Sequence, residues 1–288
     1  MSVLLRVGFL LLAAISGCRI EQRTPRSPAN TAGEVLRVPH DSTIPDGPLG
    51  AAIRRGRALL ADTPDSLGGY VGSGLRCFSC HLRDGTQAGA FPLVGAYSRF
   101  PQYRDRNGIV NLLEDRINDC FERSLNGKAL PRDGPEMRQI VAYLAHMSQG
   151  IAPPGVVPGL GVRTLPVLTA DTVRGRAVFE STCTRCHGTD GLGTSLAPAL
   201  WGDRSFNVGA GLARLRTAAS FIRDNMPYDR AVAVTDQQAF DVAAYVVSRP
   251  RPDFARKGDD WPNGNPPPDL AYPTRAATLK ASGAPPKP

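Results

Sequence analysis

The sequence predicts an all-α protein with two tandem helical domains, and three observations support this prediction. The chain has 288 residues, 42% of them hydrophobic, which is enough for two small cores. Arg-Gly-Arg-Ala at residues 55–58 returns at 174–177, and Val-Ala-Tyr-Leu at 141–144 returns as Ala-Ala-Tyr-Val at 243–246. Such self-similarity indicates a duplicated domain. Few segments alternate between apolar and polar residues as strands do, whereas several follow a helical period.

Changes in composition along the chain predict its division into parts. Residues 19–45 are polar and rich in Pro, Ser and Thr, as is typical of a flexible tether. The tail is rich in proline, and we expect it to wrap the surface or to be disordered. The predicted parts are a signal peptide (1–17), the tether (18–45), a first domain (46–150), a Pro- and Gly-rich linker (151–169), a second domain (170–250) and a C-terminal tail (251–288).

The N-terminus predicts export from the cytoplasm. Arg6 is followed by an almost entirely apolar run over residues 7–15, which is too short for a comfortable transmembrane helix. Ile-Ser-Gly-Cys at 15–18 resembles a bacterial lipobox, which implies cleavage before Cys18 and a lipid anchor on that residue. Ordinary signal cleavage, with Cys18 as a bystander, is the alternative. We therefore expect a periplasmic protein, anchored to a membrane as a lipoprotein only through Cys18.

Helix start and stop signals recur in both domains. Asp46 with Pro48, and Asp133 with Pro135, suit helix N-termini, and residues 235–238 (Thr-Asp-Gln-Gln) fit a capping box. Apolar residues at helical spacing over 109–121 predict a helix that ends at Asn126-Gly127. An amphipathic stretch over 212–222 predicts another helix.

Two C-x-x-C-H motifs dominate the chain. They comprise Cys77, Cys80 and His81 in the first domain, and Cys183, Cys186 and His187 in the second. Paired thiols of this kind form thioethers to a haem, and the adjacent imidazole binds its iron. A zinc site or a redox dithiol is the alternative, but a redox dithiol does not require the following His. Two complete motifs in an exported chain predict two covalently bound haem c groups.

A residue with a soft sulfur atom follows each motif after the same number of residues. Cys120 follows His81 by 39 residues, and Met226 follows His187 by 39 residues. This offset predicts one His/Cys-ligated and one His/Met-ligated haem. A small buried Cys and a core Met are the alternatives, and His40 and His146 are further candidate ligands.

The surroundings of the two sulfur atoms differ. Pro227 disfavours helix at Met226, so this side chain is expected to project from a loop. Arg116, Cys120 and Ser124 fall at i, i+4 and i+8, so a helix would present them on one face. The alternative is a solvated Arg and Ser flanking a buried Cys. An anionic sulfur would stabilise ferric iron, and electrons could then pass downhill from the first haem to the second.

Charge favours small anions as the ligands of this protein. The formal net charge is +8. The arginines are scattered and no nucleic-acid motif occurs, so nucleic acid is not expected as a partner. A guanidinium offers fixed planar donors to oxyanions.

These residues carry a resemblance to a known family. Small helical domains wrapped on haem resemble cytochrome c. The segment Arg-Ile-Asn-x-Cys-x-x-Arg-Ser at 116–124, with Leu-Pro at 130–131, resembles the first domain of dihaem thiosulfate dehydrogenases. Phe-Ile-x-x-Asn-Met-Pro at 221–227 is similar to their second domain. The likeness covers roughly residues 46–252.

The resemblance implies an enzyme that oxidises two thiosulfates to tetrathionate at the His/Cys haem. Electrons would leave through the second haem to an external acceptor cytochrome or a similar redox protein. Cys120 would be the distal ligand and sulfur acceptor, Arg106 and Arg116 would hold the substrate dianions, and Ser124 would help to position them. Some family members carry Lys before the second haem's Met, whereas this chain has Asn225, which puts ligand switching in doubt.

Two other functions stay open from the sequence. One is a non-catalytic dihaem electron carrier, which the two motifs and Met226 support equally well. The other is a SoxA-like haem subunit of a larger sulfur-oxidising complex, which would also use a Cys-ligated haem.

Overall fold

The computed structural model describes residues 36–230 and 233–281. The predictions for the signal peptide, for Cys18 and for most of the tether lie outside these residues. Within them, no helix has the length and apolar character needed to cross a membrane.

The described chain is mainly helical, with one small hairpin. The α-helices are α1 (Gly47–Ala61), α2 (Thr63–Ser66), α3 (Leu82–Gly85), α4 (Leu113–Asp119), α5 (Pro135–His146), α6 (Thr172–Val178), α7 (Thr184–His187), α8 (Leu215–Asn225), α9 (Asp236–Val247) and α10 (Arg275–Ala281). Two π-helices lie at Cys120–Ser124 and Phe179–Cys183. Strands β1 (Gln102–Arg104) and β2 (Ile109–Asn111) pair antiparallel, with Tyr103 opposite Val110.

The same helix crossing organises both domains and explains the repeated sequence. In the first domain α1 packs on α5, and a Cβ built on Gly56 would lie 2.0 Å from the Gln139 carbonyl oxygen. In the second domain α6 packs on α9, and a Cβ on Gly175 would lie 2.0 Å from the Asp241 carbonyl oxygen. A side chain at either glycine would hold the helices apart, so the two crossings require glycine.

The prediction of a continuous helix over 109–121 is wrong in its first part. Residues Ile109–Asn111 form β2, and helix α4 begins at Leu113. The side chains of Ile109 and Val110 are exposed, because their backbones pair with β1 instead of packing into the core. The apolar spacing is shared by a strand end and a helix start, and periodicity alone does not separate them.

Helix caps follow the predictions in part. The Thr235 hydroxyl accepts from the Gln238 N–H, and the Gln238 side chain accepts from the Thr235 N–H, which confirms the capping box. Asp46 is the N-cap of α1, but its side chain makes no capping hydrogen bond. Gly134, not Asp133, is the N-cap of α5.

The two domains meet through α8. The Phe91 ring stacks on the Phe221 ring at a centroid distance of 5.8 Å. The Gln87 side chain donates to the Asn225 side-chain oxygen at 2.6 Å, and Asn225 donates to the Gly89 carbonyl at 3.1 Å. Asn225 is fully buried, and its side-chain amide is engaged in these hydrogen bonds between the domains.

The C-terminal segment, residues 251–281, packs onto both domains. Phe254, Asp260, Trp261 and Tyr272 are all less than 8% exposed. The composition of the tail suggests a segment that wraps the surface or is disordered, and it gives no sign of these buried aromatic and acidic side chains.

Candidate haem and substrate site

The first C-x-x-C-H motif opens into a cavity of about 340 Å³ in the first domain. Cys77 begins a short 3₁₀-helix, Cys77–Ser79, and Cys80 and His81 follow it directly. All three side chains line the cavity, together with Cys120. The rest of the lining is largely apolar and includes Leu75, Leu93, Phe100, Leu113, Ile140 and Leu144. Two thiols, an imidazole and apolar walls fit a covalently attached porphyrin.

Both motif histidines are oriented by a backbone carbonyl. His81 Nδ1 lies 2.5 Å from the Phe91 carbonyl oxygen, and His187 Nδ1 lies 2.8 Å from the Pro198 carbonyl oxygen. Each Nδ1 therefore carries the proton, which leaves Nε2 free to bind a metal. The same device in both domains supports the prediction of two proximal histidine ligands.

The second motif lies in an apolar environment at the junction of two helices. Cys183 ends the π-helix Phe179–Cys183, and Cys186 and His187 lie in α7. Cys183 packs against a cluster that contains Phe179, Trp201 and other buried residues of the second domain. Burial raises the pKa of the Cys183 thiol to about 11. A neutral thiol in apolar surroundings suits haem attachment.

Cys120 differs chemically from the other two thiols in the first cavity. Burial raises the pKa of both Cys77 and Cys80 to about 12. Burial also opposes ionisation of Cys120, but the Arg116 guanidinium and a hydrogen bond with His81 outweigh it and lower the pKa to about 7. Both predicted ligands, Cys120 and His81, line this one cavity.

Arg116, Cys120 and Ser124, which were predicted to share one helix face, all line this cavity. The Arg116 Nη1 donates to the Cys120 sulfur at 2.9 Å, and Ser124 lines the cavity at the end of the π-helix Cys120–Ser124. A π-helix carries one extra residue per turn, and such turns are frequent at functional sites. This arrangement holds a sulfur, a guanidinium and a hydroxyl toward the same space.

Three further arginines, which the sequence did not indicate, also line the cavity: Arg76, which directly precedes Cys77, and Arg99 and Arg104. Arg104 is on β1, and Arg99 is the last residue of the 3₁₀-helix Tyr97–Arg99, which precedes the hairpin. Burial and the nearby charge of Arg116 lower the pKa of the Arg99 and Arg104 guanidinium groups, that of Arg99 to about 10. Gln102 and Arg104 are two residues apart and face the cavity from one side of a strand. A strand of three residues is too short to give an alternating pattern, so the sequence carried no clear signal for it.

Arg106 is placed differently from the prediction. Of the residues that the structure describes, Arg106 is not among those that line the cavity. Its Nη1 donates to the Gly209 carbonyl at 2.6 Å, and its guanidinium lies over the Trp261 ring at 4.5 Å. The guanidinium is engaged by the second domain and the C-terminal segment, so the structure does not bring it to Cys120.

Met226 leaves the helix as predicted. Helix α8 ends at Asn225, and Met226 has extended backbone dihedrals. Its side chain packs against a cluster that joins both domains and includes Leu82 and Phe221. Its role as a ligand of the second haem stays a prediction.

The other two histidines lie away from the first cavity. His40 is exposed and caps a 3₁₀-helix at Asp41–Thr43. His146 is buried at the end of α5 and does not line the cavity.

Comparison with known proteins decides the family. Residues 72–152 match a family model described as SoxA/TsdA, cytochrome c domain, and residues 170–246 match one described as cytochrome c oxidase, cbb3-type, subunit III. A thiosulfate dehydrogenase of Allochromatium vinosum is 47% identical over 78% of this chain and 87% of its own length. The chain belongs to the thiosulfate dehydrogenase family. It is accordingly an oxidoreductase with two covalently bound haem c groups, one in each cytochrome c domain.

Other members of the thiosulfate dehydrogenase family are also similar. A thiosulfate dehydrogenase of Psychrobacter arcticus is 44% identical over 82% of this chain and 74% of its own length. A solved structure of the thiosulfate dehydrogenase TsdBA from Marichromatium purpuratum, in its as-isolated form, matches with a TM-score of 0.74 and 34% identity. That match covers 77% of this chain and half of the solved chain.

Proposed function

We propose that this protein oxidises two thiosulfate ions to one tetrathionate at the haem of the first domain, whose iron Cys120 and His81 would bind. The observation that carries the proposal is the hydrogen bond from Arg116 to the Cys120 sulfur, inside a cavity that Arg99 and Arg104 also line. A site with a stabilised thiolate and several guanidinium groups suits a sulfur dianion. An electron carrier has no evident use for either feature.

The arginines offset the main physical obstacle to the reaction, which is the electrostatic repulsion between the two substrate dianions. Two thiosulfate dianions must approach each other, and the repulsion between them costs several kcal/mol unless positive charge offsets it. A cavity lined by Arg99, Arg104 and Arg116 supplies that charge from fixed side chains, which need no reorganisation when the substrates arrive. Ser124 adds a hydroxyl donor at the same wall. The arginines therefore bind and orient the dianions and stabilise the charge that gathers between them.

The proposed sulfur chemistry balances with Cys120 as the acceptor. The Cys120 thiolate and one thiosulfate form a sulfur–sulfur bond and release two electrons, which leaves a sulfonated persulfide on the cysteine. A second thiosulfate attacks the sulfane sulfur of this group, releases tetrathionate and regenerates the thiolate. The two haem c groups supply one-electron redox chemistry and take up the two electrons.

Electrons leave through the second domain in this proposal. His187 and Met226 would hold the second haem, and an external cytochrome or a similar redox protein would accept the electrons. We also propose a periplasmic location with a lipid anchor at Cys18, on the strength of the export segment and the lipobox in the sequence.

The test is reduction of the purified dihaem protein by thiosulfate, followed by turnover with an artificial electron acceptor. We expect reduction of the haems and formation of tetrathionate in proportion to the electrons released. The Cys120→Ala variant should lose turnover while both haems stay covalently attached, because its two attachment motifs are unchanged. A fully active Cys120→Ala variant would refute the role of Cys120. A fully haem-loaded wild type that thiosulfate does not reduce would favour an electron carrier.

A further inference from the structure

We propose that the C-terminal segment, residues 251–281, positions both walls of the first cavity, and that Asp260 is the positioning residue for the Cys120 π-helix. The segment lies beyond both matched cytochrome domains, which end at residues 152 and 246. This inference rests on the proposed ligand role of Cys120.

The first wall is the π-helix Cys120–Ser124, and Arg123 connects it to the segment. Arg123 donates through Nη1 and Nη2 to the two carboxylate oxygens of Asp260, at 2.8 and 2.7 Å. Both residues are buried, with 7% and 3% exposure. A bidentate guanidinium–carboxylate pair fixes orientation as well as distance. Arg123 is three residues after Cys120, so its anchorage restrains the same helical turn that presents the sulfur.

Further contacts hold the pair itself in place. The Tyr272 hydroxyl donates to Asp260 Oδ2 at 2.5 Å, and the Arg123 guanidinium lies over the Phe254 ring at 4.3 Å. Both Tyr272 and Phe254 belong to the C-terminal segment and are buried. The segment therefore surrounds the Arg123 side chain with a carboxylate and an aromatic face, and the carboxylate is fixed by a second donor.

The second wall is the β1–β2 hairpin, which carries Gln102 and Arg104 into the cavity. The Trp261 N–H donates to the Arg106 carbonyl at 2.8 Å, and the Trp261 ring lies under the Arg106 guanidinium. Asn263 donates to the Tyr103 hydroxyl at 2.8 Å. At the hairpin turn, a Cβ on Gly108 would lie 2.4 Å from Pro262 Cγ, so this turn packs closely on the segment.

These contacts use consecutive residues of the segment for two different walls. Asp260 holds the π-helix, and residues 261–263 hold the hairpin. The distance between Cys120 on one wall and Arg104 on the other is thereby set by one short stretch of chain. Arg106 acts in this arrangement as a structural partner of Trp261, which accounts for its position outside the cavity.

The test compares the holoprotein with the Asp260→Asn variant, which keeps the shape of the side chain and removes its charge. The electron paramagnetic resonance spectrum of the oxidised protein reports the ligands of each haem separately. We expect Asp260→Asn to weaken or split the thiolate-ligated signal of the first haem and to lower kcat about 10²-fold, since small misplacements in a site cost this much. The second haem's signal should stay unchanged and serves as the internal control.

Asp259→Asn is the matched control variant. Asp259 is the neighbouring residue, is half-exposed and pairs with Arg275 at the surface, so this variant should give the wild-type spectrum and kcat. Tyr272→Phe removes one donor to Asp260 and keeps the ion pair, so we expect a smaller change in the first haem's signal. If Asp260→Asn does not accumulate, the Tyr272→Phe spectrum decides the question.

The outcomes separate this inference from the proposed function. A wild-type spectrum without a thiolate-ligated signal would refute the ligand role of Cys120. A normal wild-type spectrum that Asp260→Asn and Tyr272→Phe leave unchanged would overturn the positioning role alone. A variant that melts at a lower temperature with a native first-haem signal and native kcat would reduce Asp260 to a purely structural residue, and this also overturns the inference.

Discussion

The two domains share one helix crossing and differ in the element that presents the predicted distal sulfur. In the first domain Cys120 lies within a π-helix and receives a hydrogen bond from Arg116 of the preceding helix. In the second domain Met226 follows the last residue of α8 on extended backbone. The crossings of α1 with α5 and of α6 with α9 are otherwise alike.

The comparison separates the part of the duplicated domain that is alike in both copies from the part that differs. The helix crossing holds the core, and glycines at positions 56 and 175 are required in both copies. The element that carries the predicted distal sulfur differs between the domains in its backbone and in its ligand. In the first domain the divergence brings a charged guanidinium to the sulfur, and in the second it leaves a neutral thioether beside apolar residues.

The largest expected effect comes from removing the charge beside Cys120. We expect Arg116→Gln to lower kcat/KM for thiosulfate by about 10²–10³, or about 2.7–4 kcal/mol, as for loss of one fixed donor in a catalytic site. Arg116→Lys should retain part of the activity, because it keeps the charge without the planar donors. The measurement is steady-state turnover with thiosulfate and an artificial acceptor.

Arg176→Gln is the matched control in the second domain. Arg176 is exposed and pairs with Glu180 on the surface of α6, so its loss should leave kcat/KM unchanged. Equal effects of Arg116→Gln and Arg176→Gln would mean that net charge, and not the position of Arg116, supports the reaction.

A single substitution in either domain should disrupt the helix crossing that both domains share. We expect Gly56→Ala and Gly175→Ala each to lower the free energy of unfolding by about 1–3 kcal/mol or more, because the new Cβ meets a backbone carbonyl. Calorimetry gives the loss of stability, and hydrogen exchange shows which domain has loosened. Gly69→Ala and Gly211→Ala are the controls, since a Cβ at these positions meets nothing within 4 Å. A Gly56→Ala protein as stable as the wild type would contradict the close crossing.

The smallest expected effect is a difference in acid sensitivity between the domains. The position of Asp241 in the second domain corresponds to Gln139 in the first, relative to Tyr245 and Tyr143. Burial opposes ionisation of Asp241, but hydrogen bonds from Arg174, from the Asp171 N–H and from Gln237 outweigh it and lower its pKa. A carboxylate of lowered pKa stabilises the folded chain above the ordinary aspartate pKa of about 3.9, and this stabilisation is lost as pH falls further.

The corresponding measurement is the thermal stability of wild type and Asp241→Asn as a function of pH. We expect the wild type to be more stable by on the order of 1 kcal/mol at neutral pH, a modest value because Arg174 is half-exposed to water. The difference should shrink below about pH 4. Asp65→Asn, an exposed position of the first domain, is the control and should give no such trend. A constant difference across this pH range would show that Asp241 acts by packing and not by charge.

Sequence reasoning located the residues whose chemistry depends on near neighbours. Spacings of a few residues predicted the two motifs with their histidines, the departure of Met226 from its helix and the shared face of Arg116, Cys120 and Ser124. The local sequence was ambiguous where a strand and a helix share one apolar spacing, as at Ile109, and at the N-terminus of α5, where Gly134 and not Asp133 is the cap. Around Ile109 the pairing of Val110 with Tyr103 decided the outcome.

The sequence by itself therefore determined the two haem attachment sites, the duplicated helical plan and the candidate thiolate, because these depend on local spacing and residue chemistry. Only the tertiary structure decided which arginines share the cavity with Cys120, and it turned Arg106 toward Trp261 while bringing in Arg99 and Arg104. It also joined Arg123 to Asp260, which are 137 positions apart in the chain. Such a long-range ion pair produces no periodic pattern in the sequence. It forms only in the folded protein, where both charged side chains are buried.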